Sequence, residues 1–186
     1  MRFVSLIPAA LALFFANAAY AQAWGEYVNR QEFFTVNFPG DPAVQQVPYA
    51  TAKGTKLTAK VFSAKADPNS ILAGTYSMTV VDYATAPTEL GTAIEEAAKA
   101  ARAKGEAKYD ERGDVDRIRT QRMTVETADK HRIMSEILVH GTRLYIVTAD
   151  TAANMPPPAQ FQASVQILDD KGQRVRYERD GVTRTR

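Results

Sequence analysis

The sequence predicts an α+β fold in which an antiparallel β-sheet is covered by helices. Three observations lead there. Runs of alternating apolar and polar residues recur along the chain, each bounded by Gly, Pro, Asn or Asp. One long stretch, Pro87 to Lys104, replaces that alternation with apolar residues three and four apart. The 186 residues include no cysteine, so no disulfide or zinc-thiolate staple is available and packing must hold the core.

Before the first strand, Met1 to Ala21 reads as a cleavable secretory signal peptide. Arg2 supplies the positive start, Phe3 through Ala16 the apolar stretch, and Ala19-Tyr20-Ala21 the small residues that suit signal peptidase. Cleavage after Ala21 is expected. The apolar stretch falls short of the roughly 20 residues that span a bilayer, and Pro8 interrupts it. There is no twin-arginine pair and no cysteine for lipid attachment. A soluble product in the periplasm or outside the cell is expected, with no stable membrane anchor.

The rest divides into one domain over 22–168 and a polar tail over 169–186. Phe34, Val36 and Phe38 fall on one face of a strand, and Pro39-Gly40-Asp41-Pro42 must turn. Two strands follow, Val44 to Tyr49 and Leu57 to Ser63, joined at Lys53-Gly54. Leu72 to Tyr83 is the longest strand signal. Its Tyr76, Met78 and Val80 share one face, so it belongs inside the sheet.

Pro87 then opens the helix, whose stripe of Leu90, Ile94, Ala97, Ala98 and Ala101 lets it lie close to a sheet. Glu95, Glu96, Lys99 and Arg102 populate its outer face as solvated charges. A weakly patterned strand near Tyr109 leads into a meander of Arg119 to Thr127, Arg132 to Val139 and Thr142 to Ala149. With His140-Gly141 as the turn, Ile137 opposes Leu144 and Glu136 opposes Tyr145. Pro156-Pro157-Pro158 leads to a final helix, Pro158 to Leu168, with Phe161, Val165 and Leu168 stacked. The tail after Asp169 has too little apolar surface to offset the entropy of ordering, and flexibility is expected.

Little in the chain points to catalysis. The formal net charge of +2 is spread along the sequence, with no clustered basic face for nucleic acid. His131 and His140 bracket one strand, which at about 3.3 Å per residue holds them roughly 30 Å apart and on opposite faces. They cannot share a metal. Ser63, Ser77 and Ser135 lie inside strands, away from any strained nucleophile turn. Asp110, Glu111, Asp114 and Asp116 surround Gly113, but the interleaved Arg112 and Arg117 break the alternation a calcium loop requires. A solvated loop is expected there. No phosphate-binding glycine loop is present, and neither metal nor cofactor is expected.

One place suggests a binding surface. The mixed face of the meander carries Met134, Glu136, Leu138, Arg143, Tyr145 and Val147, and Arg143 with Tyr145 could offer a planar cation and an aromatic platform beside Glu136. The competing expectation is that this face is simply the sheet's outer side or is covered by other elements. Trp24 and Tyr27 are expected to tuck under the domain edge.

Phe33-x-x-Val36-x-Phe38-Pro39-Gly40-x-Pro42 resembles the opening of a group of small, largely uncharacterised exported proteobacterial proteins. The likeness continues through Thr79-Val80-Val81-Asp82-Tyr83, Arg143-Leu144-Tyr145, and the Pro156-Pro157-Pro158, Phe161 and Ile167-Leu168 ending. The order of elements also resembles PsbP-like domains, which are α/β/α sandwiches with a central antiparallel sheet. PsbP is an extrinsic subunit of photosystem II, and no motif here carries that role over. The resemblance implies a non-catalytic accessory or binding role toward an envelope protein or small-molecule partner. Its rivals are a carrier of a small apolar or lipid ligand, held between the sheet and the helix, and a hydrolase with dispersed carboxylates.

Overall fold

A computed structural model describes residues 24–115 and 118–175. The expected signal peptide, Met1 to Ala21, and the tail beyond Val175 lie outside the described residues, as do Asp116 and Arg117. The elements run β1 Gly25–Asn29, β2 Phe34–Phe38, β3 Ala43–Ala50, β4 Lys56–Lys65, β5 Gly74–Asp82 and a 3-10 turn Pro87–Thr92. Then come α1 Ala93–Arg102, β6 Glu106–Val115, β7 Ile118–Glu126, β8 His131–His140, β9 Arg143–Ala152, α2 Ala159–Ala163 and β10 Gln166–Ile167.

Seven strands form the main sheet in the order β3-β4-β5-β9-β8-β7-β6, with every neighbouring pair antiparallel. β5, flanked by β4 and β9, is interior, as its long alternation requires. The sheet's two faces differ in cover. Against Val81, Ile137 and Leu144 lies α1, whose Ala93, Ala97, Ala98 and Ala101 are buried at or below 9% exposure. On the helix side only methyl groups meet the larger side chains of the strands, which is why an alanine stripe fits.

The opposite face carries Tyr76, Met78, Val80, Leu138, Tyr145 and Val147, and is roofed by a second sheet, β1-β2-β10, together with α2. This mostly sheet-built layer differs from the expected helical cover. α2 ends at Ala163, because the segment to Leu168 turns into β10, which pairs Gln166 with Thr35 and Ile167 with Phe34. Val165 and Leu168 are thus in or beside a strand. Trp24 and Tyr27 also belong to this roof and pack against the core, with Tyr27 part of a strand.

Aromatic rings join roof and sheet. Phe161 on α2 is fully buried, its ring centroid 5.1 Å from Tyr76, 5.5 Å from Phe38 and 6.3 Å from Trp24. Phe34 meets Phe62 edge-on at 5.1 Å. Such tilted contacts add to the area buried and fix orientation as well. Past Leu168 the chain does not leave the domain: Leu168 bridges Arg174, Val175 N–H donates to the Ile167 carbonyl at 2.8 Å, and the Val175 side chain is buried.

Three further expectations are corrected by register. The β8–β9 turn is Gly141-Thr142, with His140 opposite Arg143, Ile137 opposite Ile146 and Leu138 opposite Tyr145. Gly141 has φ 58°, the left-handed first position that a tight hairpin assigns to glycine. The pairing moves by two residues, so each side chain keeps its predicted face, but Glu136 faces Val147 instead of Tyr145. The region around Gly113 is not a loop. Glu106–Val115 pairs along β7 as a ten-residue edge strand, bulged between Ala107 and Tyr109. Two of the outer charges of α1 are engaged with that strand: Arg102 meets Asp110 at 2.6 Å and Glu95 pairs with Arg112.

The other edge is β3. Thr51 N–H donates to Thr55 at 3.0 Å, which fixes the alternation of the β3–β4 ladder and turns the backbone groups of Val44, Gln46, Pro48 and Ala50 outward. Pro48, having no N–H, occupies a position where none is needed by β4.

Phe161→Ala should cost about 3–5 kcal/mol, the range for deleting a fully buried aromatic ring. Urea unfolding monitored by Trp24 fluorescence measures it, and a loss below about 1 kcal/mol would contradict the role given to the ring.

Candidate functional site

Two of the three sequence-predicted binding residues come together, and they do so as a staple. Tyr145 is 1% exposed, and its hydroxyl donates to the Glu32 carbonyl at 3.0 Å. A ring so enclosed offers no platform to a partner. Arg143 reaches Glu32 at 3.5 Å and Asp82 at 3.2 Å, with its guanidinium 4.8 Å above the Phe33 ring. Lys60 also pairs with Glu32. Phe33 has φ 57°, a backbone state that a bulky side chain occupies only when its surroundings hold it there. The β1–β2 turn is therefore clamped onto the end of β9 through Glu32 and Phe33, residues the sequence reading did not single out.

Glu136 lies elsewhere on the same face, where the roof stops. Among the described residues α2 is the last covering element, and none of them roofs the outer part of β7 and β6 beyond it. Across this step the register aligns Glu111, Arg122 and Glu136 in one row, with Tyr109, Thr124 and Met134 in the next. The resulting groove, about 260 Å³, is lined by Tyr109, Arg122, Met134 and Glu136 on the sheet and Ala159, Gln162 and Ala163 on α2. Gln162 ties wall to floor by donating Nε2 to the Met134 carbonyl at 3.1 Å, and its Oε1 is buried without a partner.

The Glu136 side chain is 4% exposed, whereas Arg122 beside it is 52% exposed. Both Arg122 donors, Nε and Nη2, reach the same Glu136 oxygen, Oε1, at 3.3 Å. Oε2 receives no hydrogen bond among the described residues. Burial raises the Glu136 carboxyl above its ordinary range, and the Arg122 charge only partly opposes that. A desolvated carboxylate with one vacant acceptor on a groove floor is arranged to take a hydrogen-bond donor.

A larger cleft of about 530 Å³ lies between α1 and the β6–β7 hairpin, lined by Leu90, Ile94, Glu95, Arg112 and Gln121 among others. Of its charged groups, Arg112 is bound to Glu95 and lies 3.3 Å from Gln121 Oε1. His131 is paired with Asp150 at 2.7 Å, at an exposed strand end. Among the described residues no group of three or more His, Cys, Asp or Glu could hold a metal ion, and no helix is long and apolar enough to cross a membrane.

No protein-family model matches the chain, and no curated protein matches it. Among solved structures it is similar to the solution structure of cyanobacterial PsbP from Synechocystis sp. PCC 6803, at 12% identity over 83% of this chain and 98% of that one, with a TM-score of 0.46. Nothing about ligand or partner passes from that structure to this chain.

Two measurements check the two carboxylates. Arg143→Met should lower stability to urea by about 2–3 kcal/mol, since it leaves Glu32 buried beside Lys60 alone; a change within 0.5 kcal/mol, roughly the surface-substitution range, would contradict the staple. At Glu136 the native state holds its proton more tightly than the unfolded chain, so this group's contribution to stability falls as pH rises from 4.5 through the raised native value. The stability of Glu136→Gln relative to wild type should therefore climb over that window and then level. A difference that stays flat between about pH 4 and 8 would show that burial does not perturb the carboxyl.

Proposed function

We propose that the chain is a non-catalytic binding protein of the cell envelope, exported and cleaved after Ala21, that holds a small partner group in the groove beside α2. The observation carrying this reading is Glu136: a carboxylate with 4% exposed side chain, whose Oε2 has no hydrogen-bond partner among the described residues and which lies beside a partly apolar wall. A carboxylate oxygen left to solvent on a groove floor is open to a hydrogen-bond donor brought by a ligand.

The groove is slightly smaller than the roughly 300–1,000 Å³ typical of drug-sized ligands, which favours a compact occupant over a lipid chain. A carrier of long apolar ligands would need space between sheet and helix. The alanines of α1 are packed at or below 9% exposure against Val81, Ile137 and Leu144, and the cleft of about 530 Å³ beside them is lined partly by Glu95, Arg112, Asp114 and Arg119, charges that suit a long apolar chain poorly.

Affinity capture of the tagged mature protein from its own envelope fraction, followed by mass spectrometry of small molecules, tests the reading. Wild type should retain a compound that Glu136→Gln does not. A clean protein with no retained species would overturn it.

A further inference from the structure

Resting on that binding reading, we infer that the α2 groove takes a primary carboxamide on a short apolar stem, that is, a small uncharged amide. Among the residues lining the groove only Arg122 and Glu136 carry charge, and they are paired with each other. The couple is neutral as a whole, so it has no excess charge with which to hold an ammonium or a carboxylate. An ion bound there would leave its own charge uncompensated beside the apolar wall.

What the couple leaves open is one donor group and one acceptor. Arg122 spends Nε and Nη2 on Glu136 Oε1, while Arg122 Nη1 and Glu136 Oε2 make no hydrogen bond among the described residues. Both belong to charged groups, so each offers a stronger hydrogen bond than a neutral group would. A primary amide answers them from a single edge: its N–H syn to the carbonyl donates to Oε2, and its carbonyl oxygen accepts from Nη1. A secondary amide, held trans as peptide bonds are, turns its N–H and C=O to opposite edges and satisfies only one of the two. A peptide backbone is disfavoured for that reason. The Glu136 side chain is 4% exposed and that of Arg122 52%, so the amide nitrogen enters toward the floor and the carbonyl faces the mouth. Ala159, Ala163 and the flexible thioether chain of Met134 then enclose the stem.

Titration calorimetry on the mature protein at neutral pH, with isovaleramide, N-methylisovaleramide, isovalerate, isoamylamine and Nα-acetyl-glutamine methylamide, separates these cases. Isovaleramide should bind at least tenfold more tightly than its N-methyl derivative or either ion. Glu136→Gln leaves the Arg122 charge unanswered, so it should weaken isovaleramide several-fold and turn the preference to isovalerate. Arg122→Gln should also abolish the tenfold preference for the amide. Matching circular dichroism spectra establish that the variants fold, and the ligand series on wild type decides the class even if one of them does not.

Equal binding of the primary and N-methyl amides, or tighter binding of either ion, would overturn the amide assignment while leaving the groove as a binding site. An amide preference that survives both substitutions would overturn the part given to the couple. Binding of the glutamine derivative alone would overturn the free small molecule in favour of a protein side chain. If none of the five binds, the amide class is wrong. The envelope capture then tells whether the groove reading fails with it, since a different compound lost with Glu136→Gln would preserve that reading.

Discussion

The docking of Phe161 onto Tyr76 and Phe38 is the contact on which the rest of the architecture depends. The main sheet has two apolar faces, and α1 can satisfy only one of them. The other must be roofed by elements drawn from both ends of the described chain: β1 and β2 from the start, α2 and β10 from the finish. Phe161 is where these distant segments meet the same buried cluster. It holds α2 down although that helix has only five residues, too few to be stable by its own hydrogen bonds. The groove exists because α2 is held there and no further element among the described residues follows it across β7.

Two buried carboxylates on this face show how environment separates structure from binding. Glu32 faces two cations, Lys60 and Arg143, and lies beside the aromatic ring that flanks the second of them. Its charge is compensated within the fold, and the product is a clamp between a turn and a strand end. Glu136 faces a single arginine that approaches one oxygen only. The same functional group is here answered at one oxygen alone, which is what the proposed binding role rests on. The difference lies in how many donors the neighbouring strands supply.

Much of the scaffold was legible because alternation reports directly on faces. Tyr76, Met78 and Val80 on β5, and Ile137 against Leu138 on β8, lie on the sides their parity predicts. Parity is insensitive to a shift of two, and so the β8–β9 register could be misjudged with every face correct. β6 was hidden for another reason. Its Lys, Asp, Glu and Gly have low strand preference, and it is a strand because β7 offers a ladder and α1 offers charges to pair with. α2 ended early because Val165 and Leu168 fit a helical spacing as well as a strand edge, and pairing with β2 decided the matter. Of the site, Glu136 was visible as a charge on an apolar strand. Arg122 and Gln162 were not, since nothing local marks a residue whose importance comes from what lies across a ladder or over a roof.

The outer edge of β3 sets a limit of its own on the extent of the sheet. Its eight residues carry no charge, and Val44 and Val47 are exposed, so the usual electrostatic deterrent to strand addition is missing on this side of the sheet. Pro48 supplies a different deterrent. An incoming strand would find a carbonyl but no donor near the middle of the edge, and the pyrrolidine ring would stand in its path. Sheet growth is thus stopped at one end by the charge and bulge of β6, and at the other by a single missing hydrogen atom.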